Sequence, residues 1–271
     1  MRRLPLWVGL SLVFSLVLMA LISLVWTPFD PTLVDADARL QRPGWPHLLG
    51  TDGMGIDTLS RIMVGARICL FVGVVAVSIA ALVGVPLGMV AGMVGGWPAR
   101  LVLRASDILY AFPALLLAIL LAAARGASTL TGMVAIGIAT IPVFTRIARA
   151  ATVQVMSQDY ILAARASGTP WPQVALRHVL PNIAPLVGVQ ASVSFAMAIL
   201  AEAALSYLGL ATNVNTPSWG RMLYEAQSKY LFSNPGLLLW PGLAIALAVL
   251  GFNLLGDGLR DLLDPRLREV R

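Results

Sequence analysis

Residues 68–99 read ICLFVGVVAVSIAALVGVPLGMVAGMVGGWPA and hold no charged side chain. A helix needs about 20 apolar residues to cross the hydrocarbon core of a bilayer, and this run has more than enough. Gly95, Gly96 and Pro98 predict that the helix stops before the run does, giving a span over 69–93. Five more charge-free runs flank it, at 4–29, 108–124, 126–145, 178–201 and 230–256. They predict further spans over 6–26, 106–124, 129–149, 183–203 and 237–257. Arg125 and its small neighbours separate the third and fourth, which reads as a tight helical hairpin. The expectation is an all-α polytopic membrane protein, one domain over 1–271 with six transmembrane helices.

Composition agrees. Of 271 residues 58% are hydrophobic and 12% charged, with a mean hydropathy of +0.84, whereas a soluble domain carries about a quarter charged residues. The single cysteine, Cys69, excludes a disulfide framework, and His47 and His178 are the only histidines, so no metal cluster is expected. The one lysine, Lys229, follows Ser228. A P-loop needs Gly-Lys-Ser/Thr after a glycine-rich turn, so this chain does not hold ATP that way. Uphill work would draw on a partner or an ion gradient. No nucleophile elbow, H-E-x-x-H or paired-carboxylate set occurs, so no catalytic residue is expected.

The basic residues orient the chain. Counting crossings from one end places Arg2, Arg3, Arg100, Arg104, Arg146, Arg149, Arg165, Arg177, Arg260, Arg266, Arg268 and Arg271 on the cytoplasmic side, 12 of the 19. Both termini are therefore expected inside. The first apolar region is too long for a cleaved signal peptide and reads as an uncleaved signal-anchor. A net charge of +6 in this class points to anionic lipid and protein partners, not nucleic acid. Two extracytoplasmic segments follow, 27–67, helix-like from about Thr58, and 206–236.

Between the fourth and fifth spans, residues 159–182 read DYILAARASGTPWPQVALRHVLPN. Asp159–Ser167 suggests a short helix, and Gly168 stands where a left-handed C-terminal cap belongs. Thr169 and Pro170 then read as N-cap and first-turn residue of a second helix running to about Leu180, where Pro181 stops it. Tyr160, Leu162, Trp171 and Val174 are too apolar for a solvated loop. Two readings stand: an amphipathic hairpin resting on lipid headgroups, or a knob that docks into a cytosolic protein.

The same string resembles the cytoplasmic signature of ATP-binding-cassette (ABC) importer permeases, E-A-A-x3-G-x9-I-x-L-P. It matches at Ala163, Ala164, Gly168, Leu180 and Pro181 and departs at Leu162 and His178. Ala163-Ala164-Arg165 with Arg177-His178-Val179-Leu180-Pro181-Asn182 is similar to the dipeptide/oligopeptide/nickel branch. Three further stretches resemble its C-type subunit. They are Gly50 to Arg61 with Gly65-Ala66-Arg67, Ala201 to Leu210 with Pro217-Ser218-Trp219-Gly220, and Phe252 to Asp261 with Leu263-Asp264-Pro265-Arg266. Ile56 stands where an Arg is more usual.

The resemblance implies a type I ABC importer permease in a bacterial inner membrane, without cofactor or metal of its own. It implies a pore shared with a B-type permease, two ATPases that bind ATP and Mg, and an extracytoplasmic solute-binding protein. ATPase coupling would fall to Ala163, Ala164, Arg165, Gly168, Thr169, Arg177, His178, Leu180 and Pro181. The cargo would be peptides or nickel and metal chelates. The rival class is an ion-coupled carrier that uses no ATPase.

Other residues are candidates for structure or gating. Gly84 and Gly88, with Gly92, form a small-xxx-small row that suits either close helix packing or, with Pro86, a hinge. Glu202 is an ionisable group in a span, expected to snorkel, cap a helix or pair with an Arg. Asn253 and Asp257 lie four apart on one face, with Asp257 expected to pair with Arg260 or Arg177, and Asp107 with nearby Arg104.

Overall fold

A computed structural model describes residues 4–210, 216–230 and 234–263. Arg2, Arg3, Asp264, Pro265, Arg266, Arg268 and Arg271 lie outside the described residues. The described chain is helical, with α1 (Leu4–Val25), α2 (Thr58–Val94), α3 (Gly96–Ala111), α4 (Ala114–Arg125), α5 (Thr129–Met156), α6 (Asp159–Ala166), α7 (Trp171–Val174), α8 (Leu180–Tyr207), α9 (Trp219–Tyr230) and α10 (Gly236–Leu263). The all-α expectation holds. Five helical stretches are long and apolar enough to cross a membrane, and the α3–α4 pair makes a sixth if counted as one broken span.

Polar residues mark where the long helices begin. Asp57 caps α2, its carboxylate accepting from Ser60 N at 2.8 Å, and the helix ends at Gly95, whose φ is +66°. At 37 residues α2 is about 55 Å long, well over the ~30 Å of hydrocarbon, so one end projects beyond it. Ser128 caps α5 by accepting from Thr131 N at 3.1 Å.

The segment expected as one straight span over 106–124 is bent by 81° between α3 and α4. Pro113 is the cause. It offers no N–H to the helix and drives Phe112 into extended backbone, φ −80° and ψ 122°. The 12 residues of α4 reach only about 18 Å.

Among the described residues α2 and α5 share the most extensive helix–helix contact. A Cβ on Gly84 would stand 2.7 Å from the Ile141 carbonyl oxygen, one on Gly88 2.4 Å from that of Thr145, and one on Gly92 2.7 Å from Thr152 Cβ. The glycine row thus lets the two backbones touch. Around it one apolar cluster gathers Ala80, Val85, Met89, Phe144 and Ala148 with Ile161, Val174, Val179 and Ile183. Toward the opposite end a second cluster joins Leu16, Ile62, Ala66, Cys69, Ile199, Trp219, Met222 and Phe252. α2 and α5 run parallel, with Gly84 facing Ile141 and Gly92 facing Thr152, so Arg61 at the start of α2 and Gly168 beyond the end of α5 mark opposite ends of the bundle.

Candidate coupling site

At the Gly168 end, α5 leads through Ser157 and Gln158 into the eight-residue α6. Three bonds close that helix. Ser167 N donates to Ala163 O at 3.0 Å, Gly168 N to Arg165 O at 3.0 Å and Thr169 N to Ala164 O at 3.1 Å. With φ +81° at Gly168 this is a Schellman turn, and the orphan carbonyls of α6 are met inside it. No atom of the described residues outside its chain neighbours approaches within 4 Å of where a Gly168 Cβ would sit, so glycine serves the backbone angle here and not the packing.

Two local expectations are corrected. Thr169 does not cap the next helix. Pro170 holds that position without a side-chain bond, its extended ψ of 149° leaving it outside the helix, which starts at Trp171. Pro181 does not stop the helix either. From Ala175 to Val179 the backbone widens to a π-helical turn, with Leu180 N donating to Ala175 O five residues back. The wider turn accommodates the ring of Pro181, and Asn182 Nδ2 donates to His178 O at 2.6 Å. α7, the π turn and α8 therefore run as one helical stretch, Trp171–Tyr207, 37 residues long.

This elbow has a buried face and an open one. Ile161, Val174 and Val179 are fully buried against α2 and α5. Ala163, Arg165, Gly168, Arg177 and Pro181 are exposed, and Ala164, Thr169, His178 and Leu180 half-buried. The Arg165 guanidinium lies 4.6 Å from the centre of the Trp171 ring, bracing the open side, and Tyr160 and His178 meet at 6.1 Å.

The remaining candidates are scattered. Glu202 neither snorkels nor pairs with an Arg among the described residues. It is buried in α8 and accepts from Ser206 Oγ at 2.6 Å. Asn253 and Asp257 are both exposed on α10. Asp257 has no ion pair with Arg260 or Arg177 among the described residues, and its side chain is exposed. Asp107 pairs with Arg146 of α5 at 2.7 Å instead of with Arg104, and Arg146 also stacks 4.5 Å over Tyr110.

At the Arg61 end, sequence-distant motifs meet in a way local reading missed. Thr51 pairs with Asp57 in an antiparallel bridge, and His47 Nδ1 lies 3.0 Å from Asp57 Oδ1. The fully buried Trp219 lies against Gly65 and donates to Ile62 O at 3.0 Å. Arg61, 6% exposed, bonds Asp52 through one guanidinium nitrogen and Glu225 Oε2 through another at 2.8 Å. Arg221 Nε holds the other Glu225 oxygen at 3.0 Å. Burial pushes the Glu225 carboxyl upward, but Arg61 and Arg221 outweigh it and hold the group below its usual range.

Residues 84–269 match the family model described as binding-protein-dependent transport system inner membrane component. The chain belongs to this family. It is 40% identical over 262 residues to the dipeptide transport system permease protein DppC of Alkalihalophilus pseudofirmus, covering 96% of this chain and 86% of that one. Against the glutathione transport system permease protein GsiD of Pectobacterium atrosepticum the identity is 40% over 242 residues, with 89% and 80% covered. The di/tripeptide permease DppC of Pseudomonas aeruginosa gives 40% over 269 residues, with 97% and 88% covered. In fold the chain is similar to an inward-facing MetNI methionine ABC transporter, at a TM-score of 0.62 and 15% identity over 78% of this chain and 96% of that one.

The protein is thus a multi-pass inner-membrane ABC importer permease of the group containing DppC and GsiD. It is the non-catalytic membrane component of a complex whose ATP is handled by ATPase partners. None of these three relatives is named for nickel.

Proposed function

We infer that this permease shares a pore with a B-type permease and imports small peptides or glutathione, the cargoes for which its relatives are named. Two ATPases grip the Asp159–Pro181 elbow on the cytoplasmic side, where both termini also lie. A solute-binding protein docks on the opposite side, on segments 27–67 and 206–236. ATP-driven closure of the ATPases pushes the elbow, and the helices rock as rigid bodies to open the pore toward the binding protein.

One observation carries this reading: the elbow is anchored by fully buried Ile161, Val174 and Val179 while Leu162, Arg165, Gly168 and Arg177 stay exposed. A knob so fixed transmits force, whereas a loop adrift on headgroups would not. Deleting residues 163–168, or Gly168→Pro, is expected to abolish co-purification of the ATPases while membrane insertion stays intact. Undiminished co-purification would overturn the docking role. A thermal-shift screen of the partner binding protein against dipeptides, glutathione and a nickel chelate tests the cargo, with stabilisation by the first two expected. Stabilisation by the chelate alone would refute it.

A further inference from the structure

The buried charges at the Arg61 end join two segments that lie far apart in sequence. Asp52 belongs to the long segment ahead of α2, Arg61 to the first turn of α2 and Glu225 to α9, 164 residues beyond Arg61. Among the described residues the Arg61 fork bridges the two carboxylates, and its fixed planar geometry suits two acids at once. Asp52 also shapes its own loop, accepting from Met54 N at 2.8 Å and Ile56 N at 3.0 Å, so any shift of that loop moves the carboxylate. Beside Arg61, Thr58 Oγ1 is buried without a partner among the described residues and lines a cavity of about 30 Å³ with Asp52, Arg61 and Glu225. That volume is on the scale of about one or two waters.

We propose that Arg61 is a positioning residue, the latch through which docking of the binding protein on the outer segments is passed to α2 and α9. This rests on the docking reading above, but Arg61 itself is too buried to touch the binding protein. When the docked protein displaces the Asp52 loop, the guanidinium carries the displacement to the start of α2 and, through Glu225, to α9. From Gly84 to Gly92, α2 is seated on α5, so movement at its first turn reaches the bundle interior.

The test uses the full complex, with companion permease and ATPases, reconstituted in liposomes, and compares ATPase rates with and without loaded binding protein. In Arg61→Met the stimulation is expected to fall at least tenfold, while basal rate, complex yield and binding-protein affinity stay within about threefold of the parent. Glu225→Gln removes one arm only and is expected to lose about threefold, which keeps the test open if Arg61→Met assembles poorly. Arg61→Lys, a point charge unable to span both acids, is expected to recover only part of the stimulation. Full stimulation in Arg61→Met or in Glu225→Gln overturns the latch and leaves the docking reading intact. Loss of binding-protein affinity in step with stimulation also overturns it, since Arg61 would then merely maintain the docking surface. A parent complex that ignores the binding protein overturns the docking reading, and the latch with it.

Discussion

Adding one methyl group to Gly88 tests the packing of α2 on α5. A Cβ there stands 2.4 Å from Thr145 O, 2.8 Å from Ala148 Cβ and 2.9 Å from Arg149 N. Ordinary contact begins at 3.4 Å, so the helices must part by about 1 Å. Two of the three atoms belong to the α5 backbone and cannot rotate away. Overpacking of this kind costs about 1–3 kcal/mol, partly offset by the ~0.5–1 kcal/mol that alanine gains over glycine within a helix. The net loss, centred near ~1 kcal/mol and reaching at most about 2.5, should lower the melting temperature in detergent by roughly 2–4 °C at its centre for a domain of this size. Gly188 in α8 is the control, because no atom lies within 4 Å of its Cβ position. Gly188→Ala should therefore be neutral or slightly stabilising. Fluorescence-detected size-exclusion melting of both variants measures the contrast. Equal melting temperatures, or a more stable Gly88→Ala, would refute the close approach of α2 and α5.

At Gly168, where φ is +81° and the Cβ position is open, Gly168→Asn should retain ATPase co-purification better than Gly168→Val, which must hold a β-branched residue at positive φ at a cost of at least ~1–2 kcal/mol; equal retention would argue against the Schellman turn. Glu225 is held below the usual carboxylate value of 4.5 by its two arginines, so its contribution to stability is complete above that value and is lost as the pH falls through its lowered folded-state value. The melting difference between parent and Glu225→Gln should accordingly shrink from pH 7 to pH 4, and a difference that grows would contradict the ion pairs with Arg61 and Arg221. Trp219→Ala empties a fully buried ring site and removes the bond to Ile62 O, and should cost about 3–5 kcal/mol, read as a large drop in melting temperature with membrane insertion preserved.

The long helices were legible because exclusion of charge from hydrocarbon writes itself along the chain, one residue after another. Turn chemistry was legible for the same local reason: Gly168 stands at positive φ as its place after a short Ala-rich helix implied. The prolines were harder. Pro113 broke a charge-free stretch that hydropathy alone reads as one span, whereas Pro181 failed to end a helix because a π turn beside buried Val179 and Ile183 absorbs its ring. Which outcome a proline produces depends on packing partners that sit elsewhere in the chain. Pairings between distant residues left no local trace. Arg61 with Glu225 and Asp107 with Arg146 depend on how helices lie against one another, and the adjacent Arg104 was a reasonable but wrong partner for Asp107. Burial of Glu202 was invisible for the same reason.

Continuity from Trp171 to Tyr207 gives the chain one unbroken helical stretch, with its π turn, Pro181 and Pro185 all gathered toward the Trp171 end. The rod measures about 55 Å, so a ten-degree tilt about its Trp171 end sweeps the other end through roughly 10 Å. At that far end the Tyr207 hydroxyl is bonded to Gln227, and its ring meets Tyr224 edge-on at 5.8 Å, both residues of α9. Under the proposed docking of the ATPases on the elbow, this single helical stretch is the backbone connection between the elbow and α9.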